Sequence, residues 1–159
     1  MKRITIIIVI LVAIIILIGI FFINFNKEKT PISAEEFYNF MQQKGYSLTD
    51  ANSQFEDYDY IKKVYIAANS DYKYQIEFYE FTDDFYATSF YNNNKSIFES
   101  TKENTSAETS ISLKNYSKYT LLSNDKYMVV SKINNTALYI NVDDEYKDIG
   151  KSILDELGY

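Results

Sequence analysis

The sequence predicts an α+β protein: an N-terminal transmembrane helix, then a two-layer domain with an antiparallel sheet, in the order α-β-β-α-β-β-β-α. Three observations lead to this fold class. The chain of 159 residues begins with a long, uninterrupted apolar run. The rest mixes segments whose apolar residues recur every second position with segments in which they recur every third or fourth. Short polar turns separate neighbouring strand patterns, which favours antiparallel pairs with helices on one face of the sheet.

The apolar run is the strongest single signal. Ile4–Ile23 is a run of 20 residues in which only Thr5 and Gly19 are not strongly apolar. A helix of this length spans roughly 30 Å, the thickness of a bilayer's hydrocarbon core. The alternative is a cleaved signal peptide, which has an apolar region of about 7–15 residues and then a small-x-small site. Asn24–Lys29 contains no such site, so we expect an uncleaved signal-anchor.

The charges around the run predict its orientation. Lys2 and Arg3 precede it, and cytoplasmic flanks of membrane helices carry an excess of basic residues. Two lysines on the other side weaken this bias without reversing it. We expect residues 1–26 to be the cytoplasmic tail and transmembrane anchor, 27–32 a short linker, and 33–159 a single extracytoplasmic domain.

The first helix of the domain has clear end signals. Ser33 and Glu36 have the spacing of a capping box, and Ile32 and Phe37 have that of a hydrophobic staple. Gly45 is placed to end this helix in a left-handed conformation.

Two strands are predicted next, over residues 60–68 and 72–81. Asn69-Ser70-Asp71 between them suits a hairpin turn. Ser47–Asp50 is a further candidate for a short strand before them. In the second predicted strand, apolar and polar side chains alternate, as in a half-buried antiparallel strand.

A helix over Phe85–Phe98 follows, and Thr82-Asp83-Asp84 offers its caps. Beyond it, Glu99–Ser110 has six Ser or Thr and three Glu among its 12 residues, and none that is bulky and apolar. Such a segment buries too little surface to offset the entropy of ordering it, so we expect a mobile loop over 99–110.

The C-terminal part predicts a meander and a final helix. Strands are expected over Lys118–Leu122, Tyr127–Ile133 and Ala137–Val142, joined by turns rich in Asn. Asp143 or Asp144 is expected to cap the last helix, which ends at Gly158-Tyr159 just as the first ends at Gly45-Tyr46.

Composition excludes several chemistries. The chain has no Cys, His or Trp, so it has no disulfide, thiol nucleophile, imidazole base or lipidated cysteine. Its four glycines are isolated, so no Gly-rich loop cradles a nucleotide phosphate. Residues 27–159 hold 14 basic and 22 acidic residues, a formal charge of −8, which repels nucleic acid and anionic headgroups. We expect no cofactor and no metal.

An aromatic stretch beside an acidic turn supplies the candidate site. Tyrosine offers contact area and a hydroxyl at low entropic cost, which suits recognition of sugars or proteins. The candidate binding residues are Glu56, Asp57, Tyr58, Asp59, Tyr60 and Tyr79. The three tyrosines are expected to be exposed, whereas most other aromatic residues of this stretch are expected in the core. The carboxylates could instead be a glycosidase acid and base or hold a hard cation, but no Gly-containing calcium loop is present.

Two functions therefore stay open. The first is a membrane-anchored, extracytoplasmic, non-catalytic interaction or sensing module with an envelope protein partner. The second is a small hydrolase of envelope polymers that uses Glu56, Asp57 or Asp59. The abundance of Ile, Lys, Asn and Tyr without Cys resembles small envelope proteins of low-GC Gram-positive bacteria, which implies a cell-surface setting.

Overall fold

A computed structural model describes Ile14, residues 28–105 and residues 107–159. Apart from Ile14, the predicted membrane helix at Ile4–Ile23 lies outside these residues. Among the residues described, none of the helices has both the length and the apolar character needed to cross a bilayer.

The domain is α+β, with an antiparallel sheet, as predicted. Its helices are α1 (Ala34–Gln43), α2 (Asp84–Ser100) and α3 (Lys147–Leu157). Its strands are β1 (Ser47–Asp50), β2 (Ile61–Ala68), β3 (Gln75–Phe81), β4 (Ala107–Ser112), β5 (Tyr116–Ser123), β6 (Lys126–Ile133) and β7 (Thr136–Asp143). One-turn 3-10 helices cover Asn52–Phe55 and Asp144–Tyr146.

All seven described strands form one sheet in the order β1-β2-β3-β7-β6-β5-β4. Strands that are consecutive in the chain pair as antiparallel neighbours, except β3 and β4; β3 pairs with β7 instead. The β3–β7 pair sets Phe78 opposite Leu138. The β3–β7 pairing therefore joins the two halves of the sheet through residues 60 positions apart in the sequence.

The helices cover both faces of the sheet, so the prediction of a two-layer domain was wrong. On one face, Phe37 of α1 and Leu154 of α3 share a core with Phe78 of β3. On the other face, α2 buries Ala87 beside Tyr79, and a further cluster there joins α2 to β5 and β6. The physical reason is that the central strands are apolar on both faces. In β6 every residue after Lys126 is buried, and such a strand needs cover on both sides.

The first helix forms as its end signals predict. The Glu36 amide donates to Ser33 Oγ at 3.2 Å, and the Ser33 amide donates to Glu36 Oε2 at 2.7 Å, which completes the capping box. At the other end Gly45 has φ +83°, and the Tyr46 amide donates to the Met41 carbonyl.

The predicted loop at 99–110 is shorter in the structure. Helix α2 continues to Ser100, and Ala107–Ser112 forms β4, paired with β5 at the edge of the sheet. Every residue of β4 is exposed. This strand is held by backbone pairing with β5 and has no buried apolar face. Because its composition lacks the apolar alternation of a strand, the sequence predicted a loop.

Two local predictions also need correction. The second predicted strand begins at Gln75 rather than Tyr72, because Asn69 Oδ1 accepts the amides of Lys73 and Tyr74 and holds them in the turn. The final helix has no side-chain cap; it follows the Asp144–Tyr146 turn, while Asp143 pairs with Lys126 instead.

Candidate functional site

An open cavity of about 520 Å³ lies on the α2 face, at the end of the sheet where β2 begins and β3 ends. We call this cavity the aromatic cleft. Eight of its eleven lining residues are aromatic: Phe55, Tyr58, Tyr60, Tyr79, Phe81, Phe85, Tyr86 and Phe90. The other three are Ile61, Ser89 and Asn93. None of the eleven carries a charge, so the cleft is suited to apolar groups.

The turn before β2 forms one wall of the cleft and is held by Asn52. Asn52 Oδ1 accepts the Val64 amide at 2.8 Å, and Asn52 Nδ2 donates to the Lys62 carbonyl at 2.9 Å. The Ile61 amide donates to the Tyr58 carbonyl, and the Thr82 amide to the Tyr60 carbonyl. These backbone bonds fix both tyrosines at the mouth of the cleft.

The first turns of α2 form the opposite wall. Asp83 is its N-cap and accepts the Phe85 amide at 2.8 Å. Tyr86 then stacks on Tyr60, with ring centroids 4.5 Å apart and an interplanar angle of 8°. This stacked pair links the helix to the turn before β2. Such aromatic contacts contribute stability beyond that of the apolar area they bury.

The floor of the cleft is Tyr79 of β3. Its ring contacts Phe90 at a centroid distance of 4.5 Å and meets Phe55 edge-on at 6.0 Å. Its hydroxyl donates to the Glu77 carboxylate. Burial and the nearby Glu77 charge raise the pKa of Tyr79 well above its usual value, so the phenol stays neutral.

The rim leaves apolar surface in contact with water. Phe85 is 69% exposed and Tyr58 is 47% exposed. Large apolar side chains grouped at the mouth of a concave site are typical of binding surfaces.

The structure brings together three of the six predicted site residues. Tyr58, Tyr60 and Tyr79 all line the cleft. Tyr58 is exposed, as predicted, and Tyr60 is half-buried. The prediction of an exposed Tyr79 was wrong: it is only 7% exposed, because α2 packs over its face of the sheet.

The three predicted carboxylates do not join the tyrosines. Glu56, Asp57 and Asp59 lie exposed on the turn beside the cleft and are not among its lining residues. Within residues 28–105 and 107–159 they form no ion pair, and no group of three acidic side chains there is arranged to hold a metal ion.

Most of the lining residues that the sequence did not predict come from α2; the others are Phe55, Ile61 and Phe81. The sequence predicts Phe85, Tyr86 and Phe90 only as part of a helix. The i, i+4 spacing of Tyr86 with Phe90, and of Ser89 with Asn93, was available as a signal. It became informative only once α2 was known to cover the face that carries Tyr79.

Comparison with protein-family models, with curated proteins and with solved structures finds no match to this chain.

Proposed function

We propose that the chain is a single-pass membrane protein whose domain lies outside the cytoplasm and acts as a non-catalytic interaction or sensing module. Its binding site is the aromatic cleft. The observation that carries this proposal is the cleft itself: an uncharged aromatic cavity of about 520 Å³ with Phe85 and Tyr58 exposed at its mouth. Such a site suits recognition of an apolar group, and its lining contains no carboxylate of the kind the hydrolase alternative requires.

The membrane part of the proposal rests on the sequence. Ile4–Ile23 has the length and apolar character of a transmembrane helix, and Lys2 and Arg3 favour a cytoplasmic N terminus. A domain with a formal charge of −8 is then held close to the outer surface of that membrane.

The hydrolase alternative is less well supported. Glycosidases place two carboxyl groups on either side of the scissile bond within a cleft. Here Glu56, Asp57 and Asp59 are exposed and lie outside the lining of the cavity.

Site-specific photo-crosslinking tests the proposal in the native membrane. A benzoylphenylalanine side chain replaces Phe85 in the full chain, and the matched control carries it at Ile97, which is 48% exposed on the same helix. The two positions are about 18 Å apart along α2. We expect a specific adduct from position 85 and none from position 97.

Equal adducts from both positions, or none from position 85, would contradict a binding role for the cleft. A second measurement addresses the hydrolase. If the purified chain turned over envelope polysaccharide or peptide, and the triple variant Glu56→Gln/Asp57→Asn/Asp59→Asn lost that turnover, the non-catalytic proposal would be wrong.

A further inference from the structure

The aromatic cleft lies at the same end of the sheet as the N-terminal segment of the domain. The Phe81 amide, at the edge of the cleft, donates to the Asn135 carbonyl at 2.8 Å, and the neighbouring Asn134 amide donates to the Asn115 carbonyl at 2.9 Å. Asn115 in turn exchanges two hydrogen bonds with the backbone of Lys29, at 2.7 and 3.0 Å. Hydrogen bonds therefore run across this end of the sheet from the cleft to Lys29.

The N-terminal segment is firmly docked there. Lys29 Nζ donates to the Gly158 carbonyl at 2.6 Å and lies 3.8 Å from the centroid of the Tyr116 ring. Glu28 pairs with Lys114 at 2.6 Å. The predicted linker 27–32 is therefore not free over its whole length, because Glu28 and Lys29 contact the domain.

This docking brings the cleft close to the proposed membrane. Only five peptide steps separate Ile23, the last residue of the apolar run, from Glu28, and they reach about 18 Å at full extension. From β5 beside Asn115, the cleft strand β3 is three strand spacings away, about 14 Å. If Ile4–Ile23 spans a membrane, the cleft lies near its outer surface.

The charges around the cleft restrict which ligands at the membrane surface it can bind. No basic residue lines it, and Lys132, beneath the start of α2, is already paired with Asp84. The carboxylates of Glu56, Asp57 and Asp59 flank Tyr58 on the exposed turn and have no ion-pair partner among the described side chains. An anionic lipid surface is repelled by such a rim, whereas a basic ligand is attracted.

On the basis of the proposed function, we infer that the occupant of the aromatic cleft is an amphipathic, basic peptide segment lying at the outer membrane–water boundary. Its apolar side chains enter the cleft against Phe85 and Tyr58, and its Lys or Arg side chains face the acidic turn. Peptides of this composition concentrate at membrane surfaces, where the docking of Lys29 places the cleft.

Calorimetry on the full chain in nanodiscs of zwitterionic lipid tests this ligand class. The probe is an 18-residue peptide of Leu and Lys in amphipathic order, and the matched probe has Glu in place of every Lys. Empty nanodiscs give the binding to lipid alone. We expect saturable binding of the Leu–Lys peptide above that background and at least about tenfold weaker binding of the Leu–Glu peptide.

Three variants locate the binding. Phe85→Ala should weaken it about tenfold, because one large apolar contact is lost, whereas Ile97→Ala, on the same helix outside the cleft, should match the unaltered chain. Asp57→Asn/Asp59→Asn should weaken binding severalfold at low salt, and high salt should shrink the difference. All four substituted positions are exposed, and thermal melting checks that each variant is folded.

Equal affinity for the two peptides, or an unchanged affinity in Phe85→Ala, would overturn the inference. It would also be overturned if the benzoylphenylalanine at position 85 captured lipid alone. If that probe captured a protein in cells while the Leu–Lys peptide failed to bind, the interaction function would stand and the ligand class would be wrong.

Discussion

Two glycines end helices of this domain in the same way. Gly45 and Gly158 both have φ +83°, and in each case the following tyrosine amide donates to a carbonyl of the last helical turn, that of Met41 or Leu154. A side chain at either glycine meets no atom within 4 Å. The cost of substitution there is therefore conformational, since L-residues are disfavoured in this region.

Gly158→Ala should lower the free energy of unfolding by about 1 kcal/mol, because it forces alanine into the left-handed conformation. Gly150→Ala is the matched control. Gly150 lies within α3, where an added Cβ would meet Tyr127 at 3.4 Å and Ile140 at 3.5 Å, which are ordinary contacts. Alanine there should be neutral or stabilising by up to about 1 kcal/mol. Thermal unfolding of the full chain in detergent measures both, and equal effects would contradict the conformational explanation.

Predictions about single residues were confirmed where they depend only on neighbours in the sequence. The capping box of Ser33 and Glu36 and the stop at Gly45 depend on neighbours within a few positions. The exposure of Tyr79 depends instead on which helix covers β3. The alternation of apolar and polar side chains along the strand placed Tyr79 on the polar face, which was expected to meet solvent. Burial of a single side chain on a sheet therefore could not be predicted without the tertiary arrangement.

At the scale of elements, most helices and strands followed from periodicity, but their packing did not. The segment Tyr127-Met128-Val129-Val130 is apolar at successive positions, which is typical of a strand covered on both faces. Strand β4 lacks any buried residue and was invisible to the same reasoning. This strand forms because it pairs with β5, and a strand's own composition does not show which strand it will pair with.

Asn115, in the turn between β4 and β5, links the N-terminal segment to the β6–β7 turn. Its side-chain Nδ2 donates to the Lys29 carbonyl at 2.7 Å and to Asn134 Oδ1 at 3.0 Å, while its Oδ1 accepts the Lys29 backbone amide at 3.0 Å. Asn115→Ala should lower the free energy of unfolding by about 1–2 kcal/mol and should speed cleavage by trypsin after Lys29. Asn92→Ala, at an exposed position of α2, should leave both unchanged. Unaltered cleavage in Asn115→Ala would show that this side chain does not hold the segment.

At the scale of the whole molecule, one end of the sheet gathers the features from which function is inferred. The start of α2, the acidic turn and the docked Lys29 lie there, as does the buried C-terminal Tyr159, whose hydroxyl is hydrogen-bonded to Thr136. The sequence showed the division into an apolar run and an acidic domain. It could not show that Glu28 and Lys29, a few residues after the run in the sequence, lie at the end bearing the cleft, because that depends on the long-range order of the strands.

The chain's lack of cysteine allows the most direct measurement of the proposed membrane-bound, outward-facing arrangement. Single-cysteine variants Ile97→Cys, exposed on α2, and Lys2→Cys, ahead of the apolar run, are treated on intact cells with a membrane-impermeant maleimide. We predict that Ile97→Cys is labelled at once and that the chain stays in the membrane fraction, while Lys2→Cys is labelled only after permeabilisation. Labelling of Lys2→Cys alone, or release of the domain into the medium, would contradict the proposed anchored domain outside the cytoplasm.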